Sequence, residues 1–193
     1  MHDGGEQGRE HDGGEHAVRR VATRVVYENP WMLVREDEVE RLDGSRGIYG
    51  VVDKPDFVLV IPMEDGGFHL VEEYRYPIRR RTWSFPQGTL PGRQEADPEE
   101  LARLELAQET GLRAASLTHL GYLNCSHGTT GQGFNVFVAA DLSPGETDRE
   151  PEEQDMRQRW FSRAEVKTMI RDGRITDDSS VAAYALLTLH ENP

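Results

Sequence analysis

The sequence predicts an α+β fold, an α/β/α sandwich in which a mixed β-sheet lies between helices. Two observations predict it: short β-prone runs fill the chain up to about residue 75, and helical segments alternate with further strands after that point. Early strands with later, interspersed helices are typical of this class. A chain of 193 residues is long enough for one core of fair size. We therefore expect a single domain over residues 21–193.

The first part of the chain shows five strand-like runs separated by turn signals. The breaks are Asn29-Pro30, Lys54-Pro55-Asp56 and Asp65-Gly66-Gly67, the last of which predicts a hairpin. The runs are rich in Val, Ile, Tyr and Phe, as strands are, and cover residues 24–27, 31–36, 47–52, 57–62 and 68–74.

One helix can be predicted in detail from its end signals. Asp97 is a good N-cap, Pro98 suits the first helical position, and Glu100 follows the cap at the spacing of a capping box. Gly111 suits the left-handed residue just past a helix C-terminus. The pattern predicts a helix over residues 98–110, about 20 Å long at 1.5 Å per residue.

This helix carries two carboxylates on one face. Glu105 and Glu109 are four residues apart, so they lie one turn above each other. Ala102 and Leu106 flank that direction, which brings both acids close to surface that should be buried. Most glutamates on helices are simply exposed to solvent and have no specific function. Two acids beside an apolar face, following a glycine-containing turn at Gly88, instead suit a hard divalent cation such as Mg²⁺.

The rest of the chain continues the alternation of strands and helices. Strand-like runs cover residues 117–123, 133–139 and 157–161. Ser162 and Glu165 have capping-box spacing and begin a short helix, and the alanine- and leucine-rich residues 179–190 predict a final helix.

Composition excludes several classes of partner. The net charge of −13 argues against nucleic acid and anionic membranes as general partners. It does not argue against nucleotides, because bound cations can bridge acidic protein to phosphate. No apolar run approaches the ~20 residues that span a bilayer. The lone Cys125 cannot form an intrachain disulfide, which fits a reducing cytoplasm.

Residues 1–20 differ in kind from the rest. The pentapeptide HDGGE occurs at residues 2–6 and again at residues 11–15, and apolar residues are almost absent. Histidine and aspartate together could bind a metal, but a glycine-rich segment does not hold ligands in fixed geometry. We expect a disordered acidic tail, since little burial is available to offset the entropy of ordering.

The segment from Trp83 to Leu112 resembles the Nudix box. The box has a leading glycine, a glutamate, and then the pattern Arg-Glu-apolar-x-Glu-Glu-x-Gly-apolar. Leu104 departs at the arginine position, and Gln108 departs at the first glutamate of the pair. The matching positions are Gly88, Glu95 (with one extra residue on each side of it), Glu105, Leu106, Glu109, Gly111 and Leu112.

The resemblance implies a site for Mg²⁺ or Mn²⁺. The ions would be held by Glu105, Glu109 and the backbone carbonyl of Gln87, with Gln108 and Glu95 helping. Gln108 offers a neutral oxygen and removes one negative charge, which should weaken cation binding. Leu104 cannot orient the glutamates as the family arginine does.

A second resemblance is to the ADP-ribose pyrophosphatase branch of this family. Tyr74-Arg75-Tyr76-Pro77 and the acidic segment before Trp160 carry it. It implies that Arg75 contacts substrate. Arg81, in the Arg79-Arg80-Arg81 run, is a candidate phosphate ligand because guanidinium groups match phosphate oxygens; a solvated loop explains that run equally well. Gly88 would also lie at the substrate.

The branch also places a glutamate of a late loop over the metals, as ligand or general base. Glu152 and Glu153 are the two matching residues, and the sequence does not choose between them. A loop is a suitable place for such a base because it can close over substrate.

These resemblances together imply a metal-dependent pyrophosphohydrolase. Its substrate would be a nucleoside diphosphate linked to another moiety, with ADP-ribose giving AMP and ribose 5-phosphate as the leading case. Another nucleotide sugar such as GDP-mannose, a dinucleoside polyphosphate, and a non-catalytic nucleotide-binding module remain as alternatives. The branch commonly forms dimers through its N-terminal strands, so we expect a homodimer that uses residues 27–52.

Overall fold

The computed structural model describes residues 17–94, 96–149 and 153–192. Two short 3₁₀ turns, Tyr76–Ile78 and Pro91–Arg93, accompany the strands and helices. Within the described residues the strands are β1 (Val18–Glu28), β2 (Leu33–Arg41), β3 (Arg46–Asp53), β4 (Phe57–Glu64), β5 (Gly67–Arg75), β6 (Arg80–Ser84), β7 (Gln87–Gly88), β8 (Leu112–Asn124), β9 (Gly133–Pro144) and β10 (Arg157–Ser162), and the helices are α1 (Pro98–Thr110), α2 (Arg163–Arg171) and α3 (Asp178–Glu191).

A seven-stranded mixed sheet forms the centre of the molecule. Its strand order is β10-β5-β4-β9-β8, with β6 paired to β5 and β7 paired to β4. Only the β4–β9 pair is parallel among the strand pairs described. Alternate residues of β4 face opposite layers of helix, because successive side chains of a strand point to opposite faces.

The two faces of the sheet carry separate apolar cores. Val58 and Val60 of β4 pack with Leu101 and Leu106 of α1. On the other face the core joins β4 to α2 and α3; it includes Leu59, Ile61, Phe68, Leu70, Val136, Val166, Met169, Ala183 and Leu187. The predicted α/β/α sandwich is therefore confirmed.

A second, three-stranded antiparallel sheet is made by β1, β2 and β3. β1 begins at Val18, three residues before the predicted start of the domain at residue 21, and its first residues pair with β2. An ion pair of 2.8 Å between Arg19 and Glu40 supports that pairing. Residues 1–16, which make up most of the predicted tail, lie outside the described residues.

Helix α1 begins and ends where its signals predict. Oδ1 of Asp97 accepts hydrogen bonds from the backbone N–H groups of Glu99 and Glu100, at 2.9 and 3.1 Å. Gly111 adopts a left-handed conformation at φ +74° and closes the C-terminus. The local rules of helix capping thus fix the element that carries the two predicted metal carboxylates.

Other elements differ from the prediction mainly in length. β8 begins at Leu112 rather than at residue 117, because it pairs with β9 along almost its whole length. The capping box of Ser162 and Glu165 is present at the start of α2. In the part of the chain described here, no helix has both the length and the apolar character needed to cross a bilayer.

Candidate active site

Two buried carboxylates from α1 face the sheet at the centre of the site. Glu105 is 6 % exposed and Glu109 is 3 % exposed. Glutamate is rarely this buried unless it is paired or binds a cation. The burial agrees with the sequence pattern, in which both acids lie beside the apolar face of the helix.

Gly88 lies directly against the carboxylate of Glu105. A Cβ atom at position 88 would be 2.5 Å from Oε2 and 2.7 Å from Cδ of Glu105. The residue therefore has to be glycine for the carboxylate to approach the backbone of β7 so closely. The close packing of Glu105 therefore requires a glycine at the leading position of the box.

Glu109 has a charge environment that is unfavourable without a cation. Its Oε2 atom is buried and has no hydrogen-bond partner among the described residues. Burial raises the pKa of Glu109 well above its ordinary value, and the negative charges of Glu105, Glu153 and Glu73 raise it further. The positive charge of Arg75 acts in the opposite direction and lowers the pKa of Glu109.

Glu73 is a member of the cluster that the sequence analysis missed. It lies two residues before Arg75 on β5, so both side chains point to the same face of the strand. Their ion pair is 2.6 Å long, and the side chain of Glu73 is only 13 % exposed. Burial raises the pKa of Glu73, with smaller opposing effects from nearby charges. The period-two spacing from Arg75 was the signal that could have found it.

Arg149 holds the loop between β9 and β10 against the C-terminus of α1. Its Nε and Nη2 groups donate to the backbone carbonyl of Glu109, at 3.2 and 3.1 Å. Its Nη1 group donates to the carbonyl of Met156 at 2.5 Å. This loop carries Glu153, whose negative charge acts on Glu109. A cation at a helix C-terminus is also favoured by the helix dipole.

Arg81 anchors the far end of the same loop. It pairs with the carboxylates of Glu72 and Asp155 and donates to the backbone carbonyls of both residues. Its role toward substrate stays a prediction, and its contacts in the free protein are structural.

The remaining predicted residues have the following positions. Gln87 donates from Nε2 to Oδ2 of Asp177 at 3.2 Å, and its buried Oε1 has no partner among the described residues. Gln108 accepts a hydrogen bond from Asp148 through its backbone carbonyl. Glu95 and Glu152 lie outside the described residues, so their predicted roles stay predictions.

The departure at Leu104 is visible at the surface of α1. Leu104 is 39 % exposed. The neighbouring Arg103 donates to Glu99 and to the carbonyl of Ala114, both at 2.8 Å. Those contacts direct its guanidinium to the surface of the helix, as expected for a residue that cannot replace the family arginine.

The donor set fits a divalent cation, although it is not preassembled. Across residues 17–94, 96–149 and 153–192, no group of three or more acidic, histidine or cysteine side chains already has the geometry to hold an ion. The fit is shown by Glu109, whose buried and unpartnered oxygen is surrounded by negative charge. Hard oxygen ligands of this kind are those that Mg²⁺ and Mn²⁺ prefer.

Two cavities are lined by residues of elements that also carry site residues. The larger, about 470 Å³, is lined by Val58, which pairs with Gly88, and by Leu101, one turn before Glu105 on α1. The smaller, about 220 Å³, lies beside Arg75.

Two protein-family models match the chain. The model described as "NUDIX domain" matches residues 53–184, more than half of the chain. The model described as "Nucleoside diphosphate sugar hydrolase N-terminal domain" matches residues 18–52, which form the three-stranded sheet.

Three relatives match between 71 % and 91 % of this chain. The chain is 28 % identical over 178 residues to the ADP-ribose pyrophosphatase of Mycobacterium tuberculosis, covering 91 % of this chain and 84 % of that protein. It is 29 % identical over 138 residues to the ADP-ribose pyrophosphatase of Bacillus subtilis, covering 71 % and 74 %. It is 27 % identical over 177 residues to the methanol dehydrogenase activator of Bacillus methanolicus, covering 90 % and 94 %.

A solved structure has the same fold. The crystal structure of an ADP compounds hydrolase matches with a TM-score of 0.79 and 22 % identity, covering 92 % of this chain and 95 % of that chain. At 22 % identity this structural similarity shows a shared fold and nothing about function.

Proposed function

The chain belongs to the Nudix family of hydrolases, which act on diphosphate bonds, and we propose that its substrate is a nucleoside diphosphate sugar, ADP-ribose above all. The single observation that carries the proposal is the environment of Glu109. Its buried carboxylate oxygen has no partner among the described residues and is surrounded by other acids, with Arg75 alongside. Such a site binds a cation, and a cation next to an arginine suits a diphosphate.

We assign the metal to the residues of the box. Glu105 and Glu109 would hold Mg²⁺ or Mn²⁺ through their carboxylates, together with the backbone carbonyl of Gln87, and Glu95 and Gln108 would assist. Divalent cations, when bound, neutralise the diphosphate oxygens and activate a water for attack. Gly88 would keep the backbone close enough to Glu105 for both to meet the same diphosphate.

The chain's own residues then orient the reaction. Arg75 would hold a phosphate oxygen, and its ion pair with Glu73 keeps the guanidinium at the cluster. Glu153, on the loop anchored by Arg149, would accept the proton of the attacking water. Glu152 is the other candidate for that base. In-line attack at one phosphorus breaks the phosphoanhydride bond, so ADP-ribose and water give AMP and ribose 5-phosphate.

ADP-ribose is favoured by the names of the relatives. Two of them are called ADP-ribose pyrophosphatases, and the residues matched by the nucleoside diphosphate sugar hydrolase model form a complete sheet in this chain. The departures at Leu104 and Gln108 favour a second candidate, a module that binds nucleotide without hydrolysing it.

A substrate panel with two metals tests the proposal. The purified protein is incubated with Mg²⁺ or Mn²⁺ and with ADP-ribose, GDP-mannose or diadenosine polyphosphates, and products are separated by ion-exchange chromatography. We expect the highest kcat/KM with ADP-ribose and no turnover by Glu109→Gln. Absence of turnover with every compound and both metals would refute the proposal that the protein is a hydrolase. Nucleotide binding by Glu109→Gln in the absence of metal would support the second candidate, a non-catalytic nucleotide-binding module.

We also propose that the three-stranded sheet forms a homodimer interface. It exposes apolar side chains that a partner could cover, including Val25 (57 %), Tyr27 (53 %) and Ile48 (67 %). Light scattering after size exclusion should give a dimer for the wild type and a monomer for Ile48→Glu. Leu189→Glu is a matched control, since Leu189 is equally exposed on α3. A monomeric wild type refutes this part of the proposal.

A further inference from the structure

The box on α1 carries one carboxylate fewer than its pattern. Gln108 stands where the pattern has a glutamate, and its amide offers a cation a neutral oxygen instead of a charged one. The number of charged ligands tunes the affinity of a site for hard divalent cations. A site built only from Glu105, Glu109 and neutral oxygens should therefore bind Mg²⁺ or Mn²⁺ weakly, unless another element supplies an acid.

Strand β5 presents such an acid to the site. Phe68 and Leu70 of β5 belong to the core on the α2–α3 side of the sheet. Because successive side chains of a strand alternate, Glu73 and Arg75 point to the other side, which α1 covers. The side chain of Glu73 is 13 % exposed, and Thr82, its partner across the β5–β6 pair, is buried. Glu73 is thus enclosed on the α1 side of the sheet.

The charge of Glu73 belongs to the same cluster as the proposed metal ligands. The negative charges of Glu73, Glu105 and Glu153 act on Glu109, and the positive charge of Arg75 acts in the opposite direction. These four acids and one arginine have a formal excess of three negative charges. Like charges gathered in a mostly buried cluster cost free energy. One divalent cation would offset two of the three.

The ion pair of Glu73 leaves room for a cation. Nη2 of Arg75 lies 2.6 Å from Oε1 of Glu73. A carboxylate has two oxygens and about four acceptor positions, so Glu73 can keep this pair and still bind an ion. The side chain of Arg75 is 41 % exposed against 13 % for Glu73, which places the carboxylate on the inner side of the pair. The described acids do not yet converge on one point, and the three side-chain torsions of glutamate allow Glu73 to turn toward an ion without movement of β5.

We infer that Glu73 is a further ligand of the proposed Mg²⁺ or Mn²⁺ ion, supplying from β5 the carboxylate that Gln108 does not supply from α1. The inference rests on the proposed function and deepens it, because it assigns part of the metal affinity to a strand outside the box. The ion then links strand and helix: Glu73 binds it from β5, and Glu105 and Glu109 bind it from α1.

Titration with Mn²⁺, followed by the electron paramagnetic resonance signal of the free ion, tests the ligand without requiring turnover. Glu73→Gln keeps the size of the side chain and an acceptor for Arg75 but removes the charge. We expect the dissociation constant for Mn²⁺ to rise at least about tenfold, the lower end of the loss caused by removing groups that only support a metal ligand. Glu191→Gln is the matched control and should keep wild-type affinity. Glu191 is also ion-paired to an arginine at 2.6 Å, but it lies on α3.

A second substitution distinguishes a ligand from a distant charge. Glu73→Asp keeps the charge and withdraws the carboxylate by one methylene group, so a ligand loses its contact. We expect Glu73→Asp to weaken Mn²⁺ binding nearly as much as Glu73→Gln does. Wild-type affinity in Glu73→Asp would mean that the residue acts only through its field and would overturn the inference, as would wild-type affinity in Glu73→Gln. If circular dichroism shows that Glu73→Gln does not fold, Glu73→Asp decides alone.

Returning the acid to α1 tests the exchange between the two positions. Gln108→Glu in the Glu73→Gln background restores the number of carboxylates, so most of the lost Mn²⁺ affinity should return. A double variant that binds no better than Glu73→Gln overturns the exchange.

The substrate panel decides the hydrolase separately. Turnover by the wild type together with unchanged Mn²⁺ affinity in the variants at position 73 refutes only the role of Glu73. Absence of turnover refutes the hydrolase, and the titration still decides Glu73. A wild type that does not bind Mn²⁺ refutes the metal assignment and this inference together.

Discussion

Replacing Gly88 by alanine should disable the site without unfolding the protein. The new Cβ atom would lie 2.5 Å from Oε2 of Glu105, whereas ordinary contact begins at 3.4 Å, so that oxygen has to retreat by about 0.9 Å. The conflicting atoms belong to the end of a flexible side chain, and Gly88 has no left-handed backbone conformation that alanine would strain. The fold should therefore tolerate the change, whereas the carboxylate of Glu105, the proposed metal ligand, should be displaced.

The expected cost is large for activity and small for stability. A displacement of about 1 Å in a catalytic constellation can cost ~100-fold in rate, so kcat/KM for ADP-ribose should fall by about that factor. Titration with Mn²⁺ should show weaker binding, and the unfolding temperature without metal should stay close to that of the wild type. Gly128→Ala is the control, because nothing lies within 4 Å of its Cβ position. A folded Gly88→Ala enzyme with activity within threefold of wild type would refute the reasoning.

Three further predictions concern the acidic cluster and the helix α1. Glu109→Gln should raise the unfolding temperature of the metal-free protein at neutral pH, because it removes a charge from a buried acidic cluster. The same substitution should abolish the stabilisation by Mn²⁺ in thermal unfolding. An unchanged response to Mn²⁺ would contradict the assignment of Glu109 as a metal ligand. Burial raises the pKa of Glu109 and of Glu73 on folding, so the contribution of these two groups to the metal-free free energy of unfolding should be fully present below the unfolded pKa of about 4.3 and be lost as the pH rises toward the folded values. Urea titrations across that range measure this, and a flat profile would count against it. Asp97→Ala should cost about 0.5–2 kcal/mol by removing the N-cap of α1, with Asp97→Asn retaining most of the stability in the same urea assay.

The parts of the molecule that sequence predicts best are those with local causes. Helix α1 follows from Asp97, Pro98 and Gly111, which act within a few residues of one another. The burial of Glu105 and Glu109 follows from the same periodicity, because a helix face is set by spacing alone.

The parts that sequence missed depend on distant partners. Arg149 binds a carbonyl 40 residues away in the chain, and no local pattern distinguishes it from the other charged residues of its loop. Glu73 belongs to the site only because the sheet brings β5 beside α1. The first residues of β1 pair with residues of β2 that lie more than 20 positions later in the chain, as Val18 does with Arg41.

The way in which the loop is fastened to α1 has a consequence for how such sequences can change. Asp148 donates to the backbone carbonyl of Gln108, and Arg149 donates to the backbone carbonyl of Glu109. Carbonyl oxygens are present whatever the side chain, so glutamate, glutamine or another residue at position 108 would keep the loop in place. An acid at position 108 could therefore be exchanged for an amide during evolution while Glu153, on the same loop, kept its position relative to α1. A substitution at position 108 could thus change the proposed metal affinity without moving the loop between β9 and β10.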